Sequence, residues 1–233
     1  CRGRLMLADR FLRHRGLVGD QGIERLQDAT VAVCGAGGLG STVLSLLARS
    51  GVGRIVIYDS GTTDAPDLNR QLLYDAGDMG TRKAERAAER LRGIDARLVV
   101  EARPERVNAE TDFTGADLVA DCLDNFTSRF AVDEATYDRS IPLVHAGVYE
   151  YFGQITSVHR EKTRSLRELF DESSARLDEE PGKPMYPPAV VCVAAIQAAE
   201  CLHILLDEQD QQLYRRLCSV DLHSLEVTTL PFL

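Results

Sequence analysis

No CxxC pair occurs among the six cysteines, Cys1, Cys34, Cys122, Cys192, Cys201 and Cys218. That spacing excludes a legible zinc knuckle, and nothing resembles the disulfide framework of a small secreted domain. Cys34 and Cys122 lie in apolar, strand-like runs, where a buried structural thiol is expected. No apolar run comes near the ~20 residues of a membrane-spanning helix. The opening "CRGRLMLADRFLRHRG" carries charge but no apolar h-region, so it is not a signal peptide. A first residue of Cys1 rather than Met predicts a trimmed or partial start, and the expected compartment is the cytoplasm. Positive charge is scarce: 27 Lys and Arg stand against 36 Asp and Glu, a net −9. This argues against nucleic acid or an anionic membrane as the main partner, while leaving room for local basic sites. Neither an internal repeat nor a low-complexity segment is present.

What is present is ordinary globular chemistry. The 233 residues are 44% hydrophobic and 27% charged, enough for a substantial core. Strand-like and helix-like patterns alternate over the first two-thirds of the chain. Strands are predicted at Thr30–Cys34 and Arg54–Tyr58, then in "ARLVVEA", "ADLVADCLD" and "IPLVHAGV", and finally at Phe152–His159. Helices are predicted at Gly38–Ser50, Thr81–Ile94 and Thr127–Asp138. Such βαβ alternation predicts a mainly parallel sheet covered by helices. The last third differs. Residues 160–188 are charged and proline-bearing, with one amphipathic piece, "SLRELF", and read as a surface crossover loop exposed to partners. Ala189–Leu206 is apolar nearly all round and reads as a buried helix. Two strand-like runs around "DLHSL" predict an antiparallel hairpin.

Gly35, Gly37, Gly38 and Gly40 form a GxGxxG match between a strand and a helix. Glycines there permit a tight turn and close backbone approach to a phosphate, and the helix start directs free N–H groups at the anion. A glycine turn that binds nothing is the bland alternative. Asp59 ends the second strand, 24 positions after Gly35, where an acid can accept hydrogen bonds from ribose hydroxyls or cap the turn "DSGTTDAPD". The fold class that follows is α/β, a Rossmann-like, mainly parallel sheet flanked by helices, with an antiparallel C-terminal extension. We read one domain over residues 1–233, with a helical segment at 1–29, a nucleotide-binding part at 30–148, and the crossover, late helix and final strands at 149–233.

Asp59 suits a retained dinucleotide and a consumed ATP equally. Arg70 and Lys83 separate them, because a dehydrogenase needs no second cationic pair beside the glycine loop, whereas cleavage of a triphosphate does. Lys83 alone would read as a solvated helix residue. Asp124, in "DCLDNFTSR", follows the fourth strand, where open α/β sheets place their ligands. It suits Mg²⁺, and Asp124 or Asn125 suits a cap for the helix from Thr127 onward. Asp121 reads as structural. His145 is the best lone candidate base, although a single histidine at a strand end more commonly serves structure. Arg10, Arg13 and Arg15 read as a solvated basic segment or as a source of an arginine for a neighbouring subunit.

GAGGLG, Asp59, "LNRQ", "GTRKAE" and "DCLDN", in this order, resemble the ThiF/MoeB/HesA family, bacterial relatives of ubiquitin-activating enzymes. The likeness runs from "RFLR" through "GQITSV" and into the late helix and final hairpin, almost the whole chain. The resemblance implies MgATP-dependent adenylation of the C-terminal Gly-Gly carboxylate of a small ubiquitin-like sulfur carrier. Pyrophosphate leaves, and the product serves thiamine, molybdopterin or related sulfur-transfer biosynthesis. It implies phosphate contacts from Gly38 and the other loop glycines, ribose contacts from Asp59, and triphosphate contacts from Asn69, Arg70 and Lys83. It further implies Mg²⁺ at Asp124, a homodimer, and Arg13 reaching into the partner's site. The carrier would be separate, since the chain ends "TTLPFL".

Three departures shape the expectation. Gly61 stands where the family often has a second acid. Ser165 and Glu168 stand where many members carry a first CxxC pair, and "PGKPMYPPAVVC" lacks the second, so no zinc is expected. A cysteine in the crossover that could form a covalent intermediate is missing, Cys192 being the nearest and reading as core. Competing readings are an NAD-binding oxidoreductase, a nucleotide-binding scaffold without catalysis, and an enzyme adenylating a carboxylate on tRNA, which the acidic charge disfavours.

Overall fold

The computed structural model describes residues 9–170 and 184–232. An N-terminal helix α1 (Leu12–Asp28), broken at Gly19, leads into β1 (Thr30–Cys34), α2 (Gly38–Ser50) and β2 (Arg54–Tyr58). Next come α3 (Lys83–Ile94), β3 (Val99–Arg103), β4 (Leu118–Asp121), α4 (Phe126–Tyr137), β5 (Leu143–Tyr149) and β6 (Phe152–Val158). A short α5 (Leu166–Leu169), a long α6 (Pro187–Leu205) and the strands β7 (Arg216–Asp221) and β8 (Glu226–Pro231) complete the order.

The eight strands of the described residues form one sheet in the order β3-β2-β1-β4-β5-β6-β7-β8. β3 through β5 are parallel, and β6, β7 and β8 add antiparallel to one edge. The apolar runs of β1 and β4 are buried on both faces, as strands covered on each side must be. Period-two alternation divides them. Val31, Val33, Leu118 and Ala120 pack toward Leu44 and Leu47 of α2, Leu91 of α3 and Val193 of α6. Ala32, Cys34, Val119 and Leu143 pack toward Phe126 and Phe130 of α4 and Leu166 of α5. The chain direction reverses its progress across the sheet between β1 and β4, and a crevice opens at their carboxyl ends.

The predicted strands β1 and β2 and helix α2 match to the residue, and the final hairpin forms as expected. Three expectations need correction. The strand predicted through "ADLVADCLD" stops at Asp121, because the chain then turns toward the crevice. The late helix starts at Pro187 and is buried along one face only, with Ala195 and Ala199 exposed. Its length and hydropathy do match those of a membrane span, contrary to the sequence reading. Its polar residues nevertheless serve the core: Gln197 Nε2 donates to the carbonyls of Asp121 (2.8 Å) and Val144 (3.0 Å), and a buried Glu200 oxygen accepts from Leu213 N (2.7 Å). Of the predicted crossover, residues 171–183 lie outside the described residues, as does Cys1. "SLRELF" contributes α5, with Ser165 and Glu168 forming its capping box.

Arg10 ties the N-terminal segment to the domain. Its guanidinium pairs with Asp95 at 2.9 Å and donates to the carbonyls of Ile94 and Ala48. Burial alone would raise the Asp95 carboxyl, but hydrogen bonds from Arg97 and the charge of Arg10 hold it below the usual range. Arg10→Ala is expected to lower stability by about 2–3 kcal/mol in urea unfolding, a reduced penalty because Arg97 still faces the carboxylate.

Asp133 on α4 is 2% exposed, and its carboxylate accepts the N–H of Arg167 (3.3 Å) at the start of α5. Burial pushes its carboxyl up to about 6, against opposing backbone hydrogen bonds from Leu166 and Arg167. A carboxyl whose affinity for protons rises on folding favours the folded state at low pH and loses that favour as pH rises to about 6. Asp133→Asn removes this dependence. The stability of the variant relative to the native chain should therefore grow by about 2 kcal/mol between pH 4 and pH 7. A difference that stays constant across that range would show the carboxyl to be unperturbed.

Candidate functional site

The crevice widens into a cavity of about 590 Å³, within the size range of small-molecule sites. One wall is the turn from β1 into α2. Gly35 has φ +96°, and a β-carbon there would sit 2.6 Å from the carbonyl of Cys122. Gly40 lies so close to Gly35 that its β-carbon would meet the Gly35 carbonyl at 1.9 Å. These two positions demand glycine for packing, and Gly35, Gly37 and Gly38 line the cavity itself. Gly37 is the N-cap of α2 and supplies no capping side chain, so the first N–H groups of the helix have no intrahelical acceptor. They present a site for an anion.

Asp59 leaves β2 beside this turn. One carboxylate oxygen accepts from Ala36 N at 2.7 Å and the other from Gly61 N at 2.7 Å. It thus forms its own turn, as the capping reading expects, and braces the glycine loop while lining the cavity. Tyr74, buried, donates its hydroxyl to the carbonyl of Ala36 at 2.8 Å. Burial, then the charges of Asp59, Asp67 and Asp78, push the phenol well above its ordinary range, so it stays a neutral donor.

Arg70 and Lys83 enter the same cavity from two separate segments, and Asp67 joins them. Lys83 Nζ lies 2.9 Å from Asp67 Oδ2, and Arg70 Nη2 lies 3.7 Å from Oδ1. Gln71 Nε2 donates to the same Oδ1 at 2.6 Å. Ala65–Asn69 forms a 3-10 turn, which places Asp67, Arg70 and Gln71 on one side. Lys83 is therefore held, not solvated, at 14% side-chain exposure. A side chain at Gly61 would crowd the Asp59 carboxylate, its β-carbon falling 3.1 Å from Oδ1.

Asp124 lines the cavity from the turn between β4 and α4. Asn125, not Asp124, is the N-cap of α4, accepting from Ser128 N at 2.8 Å, and its amide donates to Asp124 Oδ1 at 3.0 Å. The carboxylate of Asp124 lines the cavity beside that cap. As a hard oxygen donor beside a cationic, phosphate-sized space, it fits a magnesium ion.

The structure brings together Gly35, Gly37, Gly38, Asp59, Arg70, Lys83 and Asp124. Gly40 stands behind them as a packing residue. Asn69 is exposed outside the lining and accepts a hydrogen bond from Arg70 Nη1 at 3.0 Å. Arg13 is exposed on α1, away from the cavity. His145 is wholly buried and does not line it. Sequence reasoning missed Asp67, Gln71 and Arg129, as well as the mouth formed by Tyr149, Phe152 and Gln154. For Asp67 and Gln71 a signal existed in "DLNRQ", whose acid and amide stand four apart around Arg70. Cys122 lines the cavity as a thiol, since burial and then the Asp121 charge push it far up.

Comparison with known proteins agrees with this fold. The solved structures of Escherichia coli MccB share the fold: the one with ATP superposes with a TM-score of 0.83 at 19% identity, over 96% of this chain and 71% of that one. Among curated proteins, the SAMP-activating enzyme E1 of Haloferax volcanii is 35% identical, covering 96% of this chain and 85% of its own length. The sulfur carrier protein adenylyltransferase of Thermus thermophilus is 36% identical, covering 85% of this chain and 78% of its own. The molybdopterin-synthase adenylyltransferase of Salmonella typhimurium is 31% identical over 79% and 76%. The signature of the ThiF family matches residues 11–232, and the chain belongs to that family.

Proposed function

We propose that this chain adenylates the C-terminal Gly-Gly carboxylate of a small ubiquitin-like sulfur-carrier protein. ATP is consumed with Mg²⁺, and pyrophosphate is released. The pathway served is thiamine, molybdopterin or related sulfur-transfer biosynthesis, in the cytoplasm. The observation that carries this reading is the convergence of Arg70 and Lys83 on Asp67, beside the glycine loop and in one cavity with Asp124. Two cations gathered there suit a triphosphate, and among the described residues the cavity lining holds no histidine to serve hydride chemistry. The names of the relatives add the acceptor class: adenylyltransferases and an activating enzyme for carrier proteins.

In this mechanism the first N–H groups of α2 hold phosphate oxygens, and Asp59 receives the ribose hydroxyls on its remaining lone pairs. The carrier's terminal carboxylate enters past Tyr149 and Phe152 and attacks the α-phosphorus. A new P–O bond forms as the bond to pyrophosphate breaks, so no protein nucleophile is needed. Arg70 and Lys83 neutralise the departing pyrophosphate, Asn69 holds the Arg70 guanidinium, and the cavity walls align the two anions. A magnesium ion held by Asp124 would supply further charge neutralisation across the phosphates. In a homodimer, Arg13 from a second copy would add a cation to the neighbouring site.

The test is carrier-dependent exchange of labelled pyrophosphate into ATP. The native chain should exchange, and Asp124→Ala, Arg70→Ala and Lys83→Ala should each slow exchange by ~100-fold. Nucleotide binding without exchange, with every ubiquitin-like carrier of the source organism, would favour the scaffold or NAD reading instead.

A further inference from the structure

Behind the Asp124 turn lies a polar pair that the chemistry above does not use. Asp121 and His145 are both fully buried, and His145 Nδ1 lies 2.7 Å from Asp121 Oδ2. The other oxygen, Asp121 Oδ1, accepts the N–H of Leu123 at 3.0 Å. On the opposite side of that residue, Arg129 Nη2 donates to the carbonyl of Leu123 at 2.8 Å. Leu123 is therefore gripped at its N–H and its carbonyl, and Asp124 is the next residue along. The members of the grip rest on β4, β5 and α4, three elements fixed in the core.

We propose that His145 is a positioning residue: by holding Asp121, it fixes the Leu123 peptide and with it the carboxylate of Asp124 in the cavity. The inference rests on the role given to Asp124 above. Burial pushes the imidazole below its ordinary range despite the Asp121 carboxylate, with Arg129 adding to the effect, so the ring is neutral and carries one proton. An acceptor carboxylate at Nδ1 requires that proton to sit on Nδ1. Nε2 has no hydrogen-bond partner among the described residues, and the Phe170 ring packs 5.4 Å from the imidazole. The charged groups around the ring are Asp121 and Arg129, with Asp133 further along α4.

Loss of the Nδ1 donor has a directional consequence. The next cation for Asp121 Oδ2 is Arg129 Nε, now 4.0 Å away and without a hydrogen bond. A carboxylate released by His145 turns toward that guanidinium. The turn withdraws Oδ1 from Leu123 N and draws Arg129 from Leu123 O, so both sides of the grip loosen together. Asp124 then swings with the freed peptide.

The experiment compares His145→Asn, His145→Gln and His145→Met. The asparagine amide can reproduce the Nδ1 donor, the glutamine amide reaches instead toward the Nε2 position, and methionine fills volume without a donor. ATP binding is measured by calorimetry across a Mg²⁺ titration, and carrier-dependent pyrophosphate exchange is measured on the same preparations after their folding is checked by thermal melts. The Gln and Met variants should need ~10-fold more Mg²⁺ for half-maximal ATP binding and lose ~10–100-fold in kcat for exchange. ATP binding without Mg²⁺ should be unchanged, and Asn should stay within about 3-fold of native. Folded Gln and Met variants with native Mg²⁺ dependence would overturn the proposal, as would an Asn variant no better than Met. Failure of Gln and Met to fold, while Asn folds or not, would make the pair purely structural and overturn it as well. A native chain that binds ATP with Mg²⁺ dependence but never exchanges pyrophosphate would refute adenylation alone, and the binding titration would still decide the role of His145.

Discussion

The close approach of α2 to the end of β1 governs the rest of the molecule. Gly40 sits where a single methyl group would collide with the Gly35 carbonyl, and Gly35 sits tight, though less so, against the carbonyl of Cys122. With the backbone seated this deeply, the start of α2 lies at the point where β1 and β4 part. The groups of the candidate site gather there: the Asp59 brace, the paired cations and the Asp124 turn. Any displacement of the helix start would separate groups that come from five different segments of chain.

Much of this architecture is legible in the sequence because parallel strands buried on both faces read as unbroken apolar runs. Thr30–Cys34 and Arg54–Tyr58 are such runs, and their bounds are recovered without error. The glycine loop is legible because its steric demands leave few substitutes. Less legible is α6, whose sequence is so apolar that its exposed face cannot be told from its buried one. Gln197 and Glu200 look like solvent-facing residues in the sequence, yet they are the residues that bond the helix to the sheet. Their role depends on carbonyls from β4 and β5 and on the loop before β7, which no local pattern reveals.

The site shows the same division. Arg70, Lys83 and Asp124 announce themselves through charge near strand and helix ends. Asp67 does not, because its function depends on a 3-10 turn that aligns it with Arg70 and on a lysine sixteen positions later. Asp121 and His145 are likewise separated by 24 positions, and only the pairing of β4 with β5 sets them opposite each other. Sequence reasoning places both at strand ends as structural residues; Asp121 does end β4, whereas His145 lies inside β5. What it cannot supply is the register that makes them partners.

Under the proposed function, Asp67 also determines what a nucleotide would meet on arrival. Arginine and lysine side chains are long and flexible, and immobilising each ordinarily costs about 0.5–1.5 kcal/mol on binding. Here the carboxylate of Asp67 already holds both rotamers close to the glycine loop, so much of that ordering is complete before any ligand enters. An incoming phosphate competes with one fixed internal anion instead of recruiting two mobile cations. If the proposed function holds, the resting protein carries its own phosphate surrogate, and release of product would return the cations to a partner already in place.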